Sequence, residues 1–428
     1  MKVLLVSTYE LGHQPLGVAG PAGVLRDRGH EVRALDLGVD PWDPAAAEWA
    51  DRVACSVPMH TAARLAREVV GRIADRPVAC YGLYAAMCAD VADALVARDP
   101  VRALVEWVEG TPPGAVAPSV PARDVLPGID RYARLVVDGE ERPAGAVEAS
   151  LGCAHRCRHC PVPVVYDGRI RIVDVETVVA DVAQQVAAGV EHVTFTDPDF
   201  LNGAHHARRV VQAVHAAFPA LTFDLTVKVE HVLRHAALWP DLAASGCLFV
   251  VSAFESTDDA ILSRLDKGHT AADELRAVAL LREHGIALRP TWLPFTPWST
   301  HDTVRDILEL VRTQDLVGHV DPIQYTIRLL VPRGSLLVGR IDGLGAWDAD
   351  ALVHPWTSPL DPLQARLAAR VEELAAAPVV DTTNAVRAEL GLDPVDPERV
   401  TDAPRLSEPW FCCAEPTAVQ LRSATGST

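Results

Sequence analysis

Lysine is nearly absent from this 428-residue chain, which carries only Lys2, Lys228 and Lys267. Long apolar runs are missing too, since none approaches the ~18 residues that a membrane span needs. The first residues, Met1–Ser7, are too short for a signal peptide and predict a strand instead. We therefore expect a cytoplasmic protein with no membrane partner.

Positive charge is in short supply, because 57 acidic residues outweigh 39 basic ones and leave a net charge of −18. Duplex nucleic acid and anionic membrane surfaces both require a basic face, so neither is an expected partner. Hydrophobic residues make up 49% of the chain and charged residues 22%, which is ordinary for a globular protein.

The nine cysteines are an odd number, in a chain without a recognisable export signal. In a reducing compartment, clustered cysteines indicate metal or redox chemistry more often than disulfides. Two groups are clustered, Cys153-Cys157-Cys160 and Cys412-Cys413. We expect the scattered cysteines to be small buried side chains; they are Cys55, Cys80, Cys88 and Cys247.

Alternating strand and helix patterns fill residues 1–110, and continuous apolar runs such as Lys2–Ser7 are typical of buried parallel strands. The pattern predicts an α/β, doubly wound, Rossmann-like parallel sheet as the first domain. The predicted strands are Lys2–Ser7, Glu31–Leu37, Arg52–Val57 and Val78–Tyr81, and the predicted helices are Leu16–Arg28, Thr61–Ile73 and Ala85–Arg98.

Prolines cluster after residue 110 and predict a linker, which we place at residues 111–143. Residues 144–338 repeat the strand–helix pattern six times and predict a partial (β/α)6 TIM-type barrel, with its site at the carboxyl ends of the strands. Residues 339–428 predict a small helical extension and a proline-rich tail. The predicted barrel strands are Gly145–Leu151, His192–Thr196, Thr222–Lys228, Leu248–Ala253, Ala287–Leu293 and Gln324–Leu329.

The strongest motif is a Cys-x-x-x-Cys-x-x-Cys run formed by Cys153, Cys157 and Cys160, which begins where the first barrel strand ends. Three thiolates on one tight loop can ligate three irons of a [4Fe-4S] cluster and leave the fourth iron open to a small molecule. The alternatives are a zinc site or three buried cysteines. Zinc sites usually have a fourth Cys or His ligand, and none is obvious here.

This loop and its setting resemble the radical SAM enzymes over roughly residues 144–334. The resemblance implies that the open iron binds S-adenosylmethionine (SAM) and that one electron from the cluster cleaves a carbon–sulfur bond. One residue departs from the family pattern: His159 precedes the third cysteine, where the family usually has an aromatic residue. The family contact to adenine there is largely through the backbone, so His159 remains a cofactor-binding candidate.

The same resemblance implies SAM contacts at the strand ends that follow. Asp197 and Asp199 lie where the family binds the SAM amino group, and Lys228 would pair with the SAM carboxylate. The remaining candidates are Glu230, which would accept from the ribose hydroxyls, and the pair Ser252 and Glu255 at the end of the fourth strand. Each residue has the alternative explanation of a solvated charge or polar group at a strand end.

Residues 1–110 resemble the cobalamin-binding domain that precedes the barrel in one radical SAM subfamily, on segments such as Gly12–Gly17 and Cys55–Pro58. The subfamily's cobalt-ligand phrase, Asp-x-His-x-x-Gly, is missing, and His13 has the wrong spacing to replace it. Some members bind cobalamin without that histidine and others have lost the cofactor, so the resemblance leaves bound cobalamin open. His13 and His60 are better explained as polar loop residues.

The tail Trp410-Phe-Cys412-Cys413-Ala-Glu-Pro416 resembles a radical SAM group named for a Cys-Cys-Ala-Glu-Pro ending, in which selenocysteine sometimes takes the second position. Adjacent thiols suit soft, thiophilic centres and redox cycling. We therefore assign Cys412 and Cys413 as catalytic candidates that bind or present the acceptor. The alternative is a tail with two incidental thiols.

Together these features predict a radical SAM enzyme that transfers a methyl or 3-amino-3-carboxypropyl group to a small or thiophilic acceptor. Transfer of the 3-amino-3-carboxypropyl group is implied by a resemblance to arsenic-handling radical SAM enzymes with paired C-terminal cysteines. A flavodoxin- or ferredoxin-type electron donor is the other expected partner. The alternatives are a cobalamin-dependent C-methylase of a natural-product or peptide intermediate, and a non-catalytic iron–sulfur or metal-binding protein.

Overall fold

The computed structural model describes residues 1–73, 75–96, 99–114 and 116–408. Within them lie two large sheets and one two-stranded sheet, and the parallel strands of the two large sheets end on a shared cavity. No helix in these ranges is long and apolar enough to cross a membrane.

The first sheet has five parallel strands in the order β2-β1-β3-β4-β5. The interior strand β1 is buried on both faces: Leu4 and Val6 pack into one hydrophobic cluster, Val3 and Leu5 into another. This two-sided burial explains the continuous apolar run at the start of the sequence. The strands are β1 (Lys2–Ser7), β2 (Glu31–Asp36), β3 (Arg52–Ser56), β4 (Val78–Tyr81) and β5 (Ala94–Val96). The helices are α1 (Leu16–Asp27), α2 (Pro44–Trp49), α3 (His60–Val70) and α4 (Pro100–Glu109).

The helix predicted over Ala85–Arg98 is wrong. In the described part of this stretch, residues 85–96, a 3-10 turn forms at Ala85–Cys88 and β5 follows it as the edge strand of the sheet. The Asp93 carboxylate accepts a hydrogen bond from the Val78 backbone N–H at 2.8 Å, which ties the segment to the start of β4. Pairing with the sheet therefore overrides the helical propensity of this alanine-rich stretch.

The second sheet has seven strands in the order β13-β12-β11-β10-β7-β6-β14. Five are parallel and curl into a half-barrel, whereas β6 and β14 join antiparallel at one edge. The strands are β6 (Arg134–Val137), β7 (Glu140–Val147), β10 (His192–Phe195), β11 (Thr222–Thr226), β12 (Cys247–Glu255), β13 (Ala287–Trp292) and β14 (Arg405–Leu406). A separate two-stranded sheet is formed by β8 (Ser150–Gly152) and β9 (Ile170–Ile172).

Helices cover the outer face of this half-barrel, and the C-terminal helices α13 and α14 pack into the same core through Leu367 and Val386. The helices are α5 (Val162–Tyr166), α6 (Val175–Ala187), α7 (Ala204–Ala217), α8 (Val229–Arg234), α9 (Trp239–Ala244), α10 (Asp259–Leu265), α11 (Ala271–Glu283), α12 (His301–Thr313), α13 (Asp361–Glu373) and α14 (Val379–Glu389).

Two further predictions about elements need correction. The stretch predicted as linker contains the hairpin of β6 with the start of β7, so the sheet begins before residue 144. The sixth predicted barrel strand, Gln324–Leu329, is a 3-10 turn followed by one bridge between Phe295 and Arg328. The Gln324 side chain accepts from the Trp292 backbone N–H at 3.1 Å, so a side-chain amide replaces the carbonyl that a strand would offer.

Candidate functional site

The three clustered cysteines lie on the loop between β8 and α5, with Cys153 and Cys157 buried and Cys160 partly exposed. Gly152 leads into the loop with φ +82°, and a Cβ there would lie 2.3 Å from the Arg169 carbonyl oxygen, so only glycine fits. The loop is anchored by the Arg158 N–H, which donates to the Leu265 carbonyl at 2.9 Å. The backbone therefore presents three thiols on one short, held turn.

All three cysteines line a cavity of about 680 Å³. The loops after β1, β3 and β4 of the first sheet form one wall, and the carboxyl ends of the barrel strands form the other. Parallel sheets bind ligands beyond these strand ends, and the volume falls within the ~300–1,000 Å³ range of small-molecule and cofactor sites. The cavity is therefore the candidate active site.

The predicted SAM-binding residues divide into two groups. Four line the cavity and three do not. The lining residues are His159, Asp197, Lys228 and Glu255, and those outside the lining are Asp199, Glu230 and Ser252.

Asp197 lies at the carboxyl end of β10 with its carboxylate fully occupied by neighbouring backbone and hydroxyl groups. It accepts from the Ala149 N–H at 2.9 Å and from the Ser150 hydroxyl at 2.5 Å. Burial raises the pKa of Asp197 to about 7, although these hydrogen bonds oppose the shift. Asp197 therefore shapes the cavity wall and joins the strand before the cysteine loop to β10.

Asp199 is completely buried and turned toward two histidines instead of the cavity. Its Oδ2 lies 2.7 Å from His231 Nδ1 and 3.6 Å from His155 Nε2. His155 belongs to the cysteine loop and His231 to the first turn of α8. Neither histidine was a predicted site residue, although their closeness in sequence to the cysteines and to Lys228 was a usable signal.

Lys228 directly precedes α8 and is 8% exposed, at the cavity wall. Its ammonium lies 3.8 Å from Glu230 Oε2, and Glu230 also contacts Arg234 and His155. Ser252 lies within β12, fully buried, and its hydroxyl has no hydrogen-bond partner in the part of the chain described. Lys228 is thus the one buried cation of this strand end that faces the cavity.

Glu255 ends β12 at φ +71° and accepts hydrogen bonds from two sides. Lys267 Nζ and His159 Nε2 each lie 3.1 Å from its Oε1. Burial alone would raise the pKa of Glu255, but the charges of Lys267 and His159 outweigh it and hold the pKa well below its usual range. Lys267 is therefore a further residue that positions this part of the wall. Because the chain has only three lysines, its sequence position could have indicated a role at the site.

Two partly buried acids of the cavity wall were not predicted, Glu10 after β1 and Glu148 directly after β7. Glu10 accepts from the Leu16 N–H at 2.8 Å and the Gly17 N–H at 3.2 Å at the start of α1, and burial raises its pKa to about 7. Burial raises the pKa of Glu148 well above its ordinary value. Both line the cavity, where burial favours the protonated form of each carboxyl.

His13 and His60 differ in position. His13 lines the cavity, and its Nε2 has no hydrogen-bond partner among the described residues. Burial lowers the pKa of His13 to about 4, so the ring is neutral. His60 lies at the start of α3, away from the cavity lining, with its Nε2 3.3 Å from the Leu352 carbonyl oxygen.

The predicted tail residues Cys412 and Cys413 lie outside the described residues. The described chain ends at Glu408, which lines the cavity and accepts a hydrogen bond from the Tyr9 hydroxyl. Arg405 and Leu406, which also precede the tail in the sequence, line the cavity as well.

Comparison with known proteins agrees with this geometry. Residues 147–312 match the model of the radical SAM superfamily. An uncharacterized methyltransferase of Pyrococcus horikoshii is 24% identical over 238 residues, which cover 55% of this chain and 48% of that protein. The hopanoid C-3 methylase of Methylococcus capsulatus is 22% identical over 349 residues, which cover 72% of this chain and 65% of that protein. The chain thus spans between about half and two thirds of these relatives.

Two solved structures share the fold. The radical SAM methyltransferase TsrM from Kitasatospora setae, with cobalamin and a [4Fe-4S] cluster bound, gives a TM-score of 0.56 at 21% identity, covering 73% of each chain. The cobalamin-dependent SAM radical enzyme OxsB with aqua-cobalamin bound gives a TM-score of 0.66 at 14% identity, covering 88% of this chain and 67% of that one. The radical SAM domain implies a [4Fe-4S] cluster and SAM as cofactors, and the cysteine loop on the cavity wall is suited to the cluster. Residues 147–312 of this chain therefore form a radical SAM domain.

Proposed function

We propose that the chain is a radical SAM enzyme that transfers a methyl group from SAM to a small organic acceptor, with cobalamin bound between the two sheets. The cavity carries this proposal, because one space joins the cysteine loop to the strand ends of both sheets. The similar proteins support it, because two are named as methyltransferases or methylases and two solved structures are of cobalamin-dependent or cobalamin-bound enzymes.

The residues present fit the cluster. Cys153, Cys157 and Cys160 would hold three irons from one turn, and the cavity leaves space at the fourth. When bound, the cluster would supply the electron that cleaves a carbon–sulfur bond of SAM. A flavodoxin- or ferredoxin-type donor would supply that electron in turn.

The cavity also fits cobalamin, which would supply a methyl-carrying cobalt centre. The first-sheet wall is built from the loops after β1, β3 and β4, including Gly17, Gly82 and Tyr84. His13 is buried at this wall with a free ring nitrogen among the described residues. Because the phrase Asp-x-His-x-x-Gly is absent, we propose that the corrin is held by the wall's shape instead of by that motif.

The chain's own side chains would bind and orient SAM. Lys228 would neutralise the SAM carboxylate, because it is a buried cation on the cavity wall near the cysteines. The Glu255–Lys267 pair would fix the strand end and His159 beside the cluster. Apolar side chains such as Phe195, Trp292 and Leu329 line the rest and exclude water from a reactive intermediate.

The assay that tests the proposal uses anaerobic full-length protein reconstituted with iron, sulfide and hydroxocobalamin, then given dithionite and SAM. We expect about one cobalt per chain and, by mass spectrometry, both S-adenosylhomocysteine and 5′-deoxyadenosine. Protein without cobalt would contradict the cobalamin part. Protein with a full cluster that forms no SAM-derived product would contradict the enzyme assignment.

A second candidate is transfer of the 3-amino-3-carboxypropyl group to a thiophilic acceptor, which the adjacent cysteines Cys412 and Cys413 favour. Methylthioadenosine as the main nucleoside in the same assay would identify this route. For either route we propose a cytoplasmic setting, because the thiols and the cluster both require a reducing compartment.

A further inference from the structure

Three side chains from separate segments converge beside the cysteine loop, outside the lining of the cavity. They are His155 of the loop, Asp199 after β10 and His231 on α8, and one nitrogen or oxygen from each lies within 4.8 Å of the others. Asp199 is fully buried and His231 is 5% exposed. Two imidazoles and a carboxylate are the ligand types that zinc and related ions prefer.

The Asp199 carboxylate is buried without a hydrogen-bond donor among the described residues. Neither of its oxygens takes part in a hydrogen bond within the described residues, and the same holds for His231 Nδ1. Asp199 Oδ2 lies 2.7 Å from His231 Nδ1, which is a close contact and not a hydrogen bond. A fully buried carboxylate without hydrogen bonds is costly, so a cation at this point would remove the cost.

The spacing of the donor atoms suits one small ion. His155 Nε2 lies 3.2 Å from His231 Nε2 and 3.6 Å from Asp199 Oδ2. Ligands at ~2.0–2.1 Å in a tetrahedron stand about 3.3 Å apart, which lies between these two distances. The 2.7 Å from Asp199 Oδ2 to His231 is measured to the other ring nitrogen, Nδ1, so an ion held by all three residues would bind His231 through Nε2. The other nitrogen of His155, Nδ1, faces Glu230 Oε2 at 3.5 Å, as in the carboxylate–histidine–metal arrangement that orients a ligating ring.

We propose that His155, Asp199 and His231 bind one zinc ion, or a similar divalent transition metal, in a site separate from the cluster. The ion joins the cysteine loop to β10 and α8, and so holds the loop against the half-barrel. With three protein ligands and His155 only partly buried, its fourth position is open to a water molecule. This site goes beyond the proposed transfer reaction.

Zinc binding is measured on full-length protein with its cluster reconstituted, freed of loosely held metal by EDTA under anaerobic conditions. Titration with zinc sulfate against a fluorescent chelator should give one tight site per chain. X-ray absorption at the zinc edge should show nitrogen and oxygen neighbours near 2.0 Å and no sulfur near 2.3 Å. A sulfur shell would place the zinc at the cysteines and overturn the proposal.

Two variants, Asp199→Asn and His231→Asn, should weaken zinc binding at least about 10-fold, the smallest loss usual even for a residue that only supports a ligand. The matched control is His235→Asn, since the His235 ring lies 5.4 Å from that of His231 but outside the ligand set. Iron and sulfide content, measured on each variant, reports that the loop remains folded. Zinc binding as tight in both variants as in the parent protein would overturn the proposal.

Discussion

Arg123 and Asp181 form a buried ion pair with two contacts: Arg123 Nε lies 3.0 Å from Oδ1 of Asp181, and Nη2 lies 2.8 Å from Oδ2. Asp181 is on α6 of the half-barrel, whereas Arg123 precedes the first barrel hairpin and donates through Nη1 to the Gln14 carbonyl at 3.3 Å. One guanidinium therefore connects a loop of the first sheet to the second sheet. This connection holds the two walls of the cavity in register.

Replacing Arg123 should destabilise the whole chain. In Arg123→Met, Asp181 stays buried without its cation, and breaking such a pair costs about 3–5 kcal/mol. The denaturant midpoint of the cluster-free protein measures the loss. The double variant Arg123→Met, Asp181→Asn removes the stranded charge and should recover a large part of it. A single variant as stable as the parent protein would show that the pair does not hold the sheets together.

The cysteine loop makes a prediction about metal content. Cys157→Ala should reduce reconstituted iron from about four per chain to a small fraction, because two thiolates hold a cubane cluster poorly. Loss of the visible absorption of the cluster should accompany it. The control is Cys247→Ala, since Cys247 is buried in β12 away from the cavity and should leave the iron content unchanged.

The sequence was informative where chemistry or burial acts over a short stretch. Continuous apolar runs predicted β1 and its neighbours, since a strand buried on both faces has no polar alternation. It was less informative where one segment depends on another. The edge strand β5 and the Gln324 turn are both decided by contacts with residues distant in the chain, which local propensity does not contain.

The same limit applies to the site. The cysteine spacing predicted a cluster loop, and the loop does lie on a cavity between the two sheets. By contrast, Asp197 and Asp199 are equivalent in sequence, yet the β10 end directs the first into the cavity wall and the second toward His155 and His231. Strand alternation would place both carboxylates on one side, but β10 ends at Phe195 and the turn after it separates them. The histidines that Asp199 meets come from other elements.

Asp197 should make stability depend on pH. Its pKa is raised from 3.8 to about 7 by burial, so between these values the folded chain holds a proton that the unfolded chain has lost. Stability therefore falls as pH rises from about 4 to 7 and is level above, with a total contribution of up to about 4 kcal/mol. In Asp197→Asn this contribution is absent.

Denaturant midpoints of the parent protein and Asp197→Asn, measured from pH 5 to pH 8, test this expectation. Groups common to both proteins, such as Glu10, cancel in the difference between them. The parent protein should lose stability relative to the variant as pH rises. A difference that is constant with pH would mean that Asp197 has an ordinary pKa.

The tail cysteines should matter for transfer and not for the cluster. Arg405, Leu406 and Glu408, which shortly precede the tail in the sequence, line the cavity, so we expect Cys412 and Cys413 to act on a reacting group there. With arsenite as a thiophilic probe, the double variant Cys412→Ser, Cys413→Ser should lower the rate of arsenite-dependent methylthioadenosine or methylarsenical formation at least about 10-fold, equivalent to ~1.4 kcal/mol.

Iron content and SAM cleavage without acceptor should stay at the parent level, which separates the thiols from the cluster. Cys88→Ala, a buried cysteine of the first sheet, is the matched control. Transfer at the parent rate in the double variant would remove the tail from the chemistry and leave the cavity walls as the sole determinants of the acceptor.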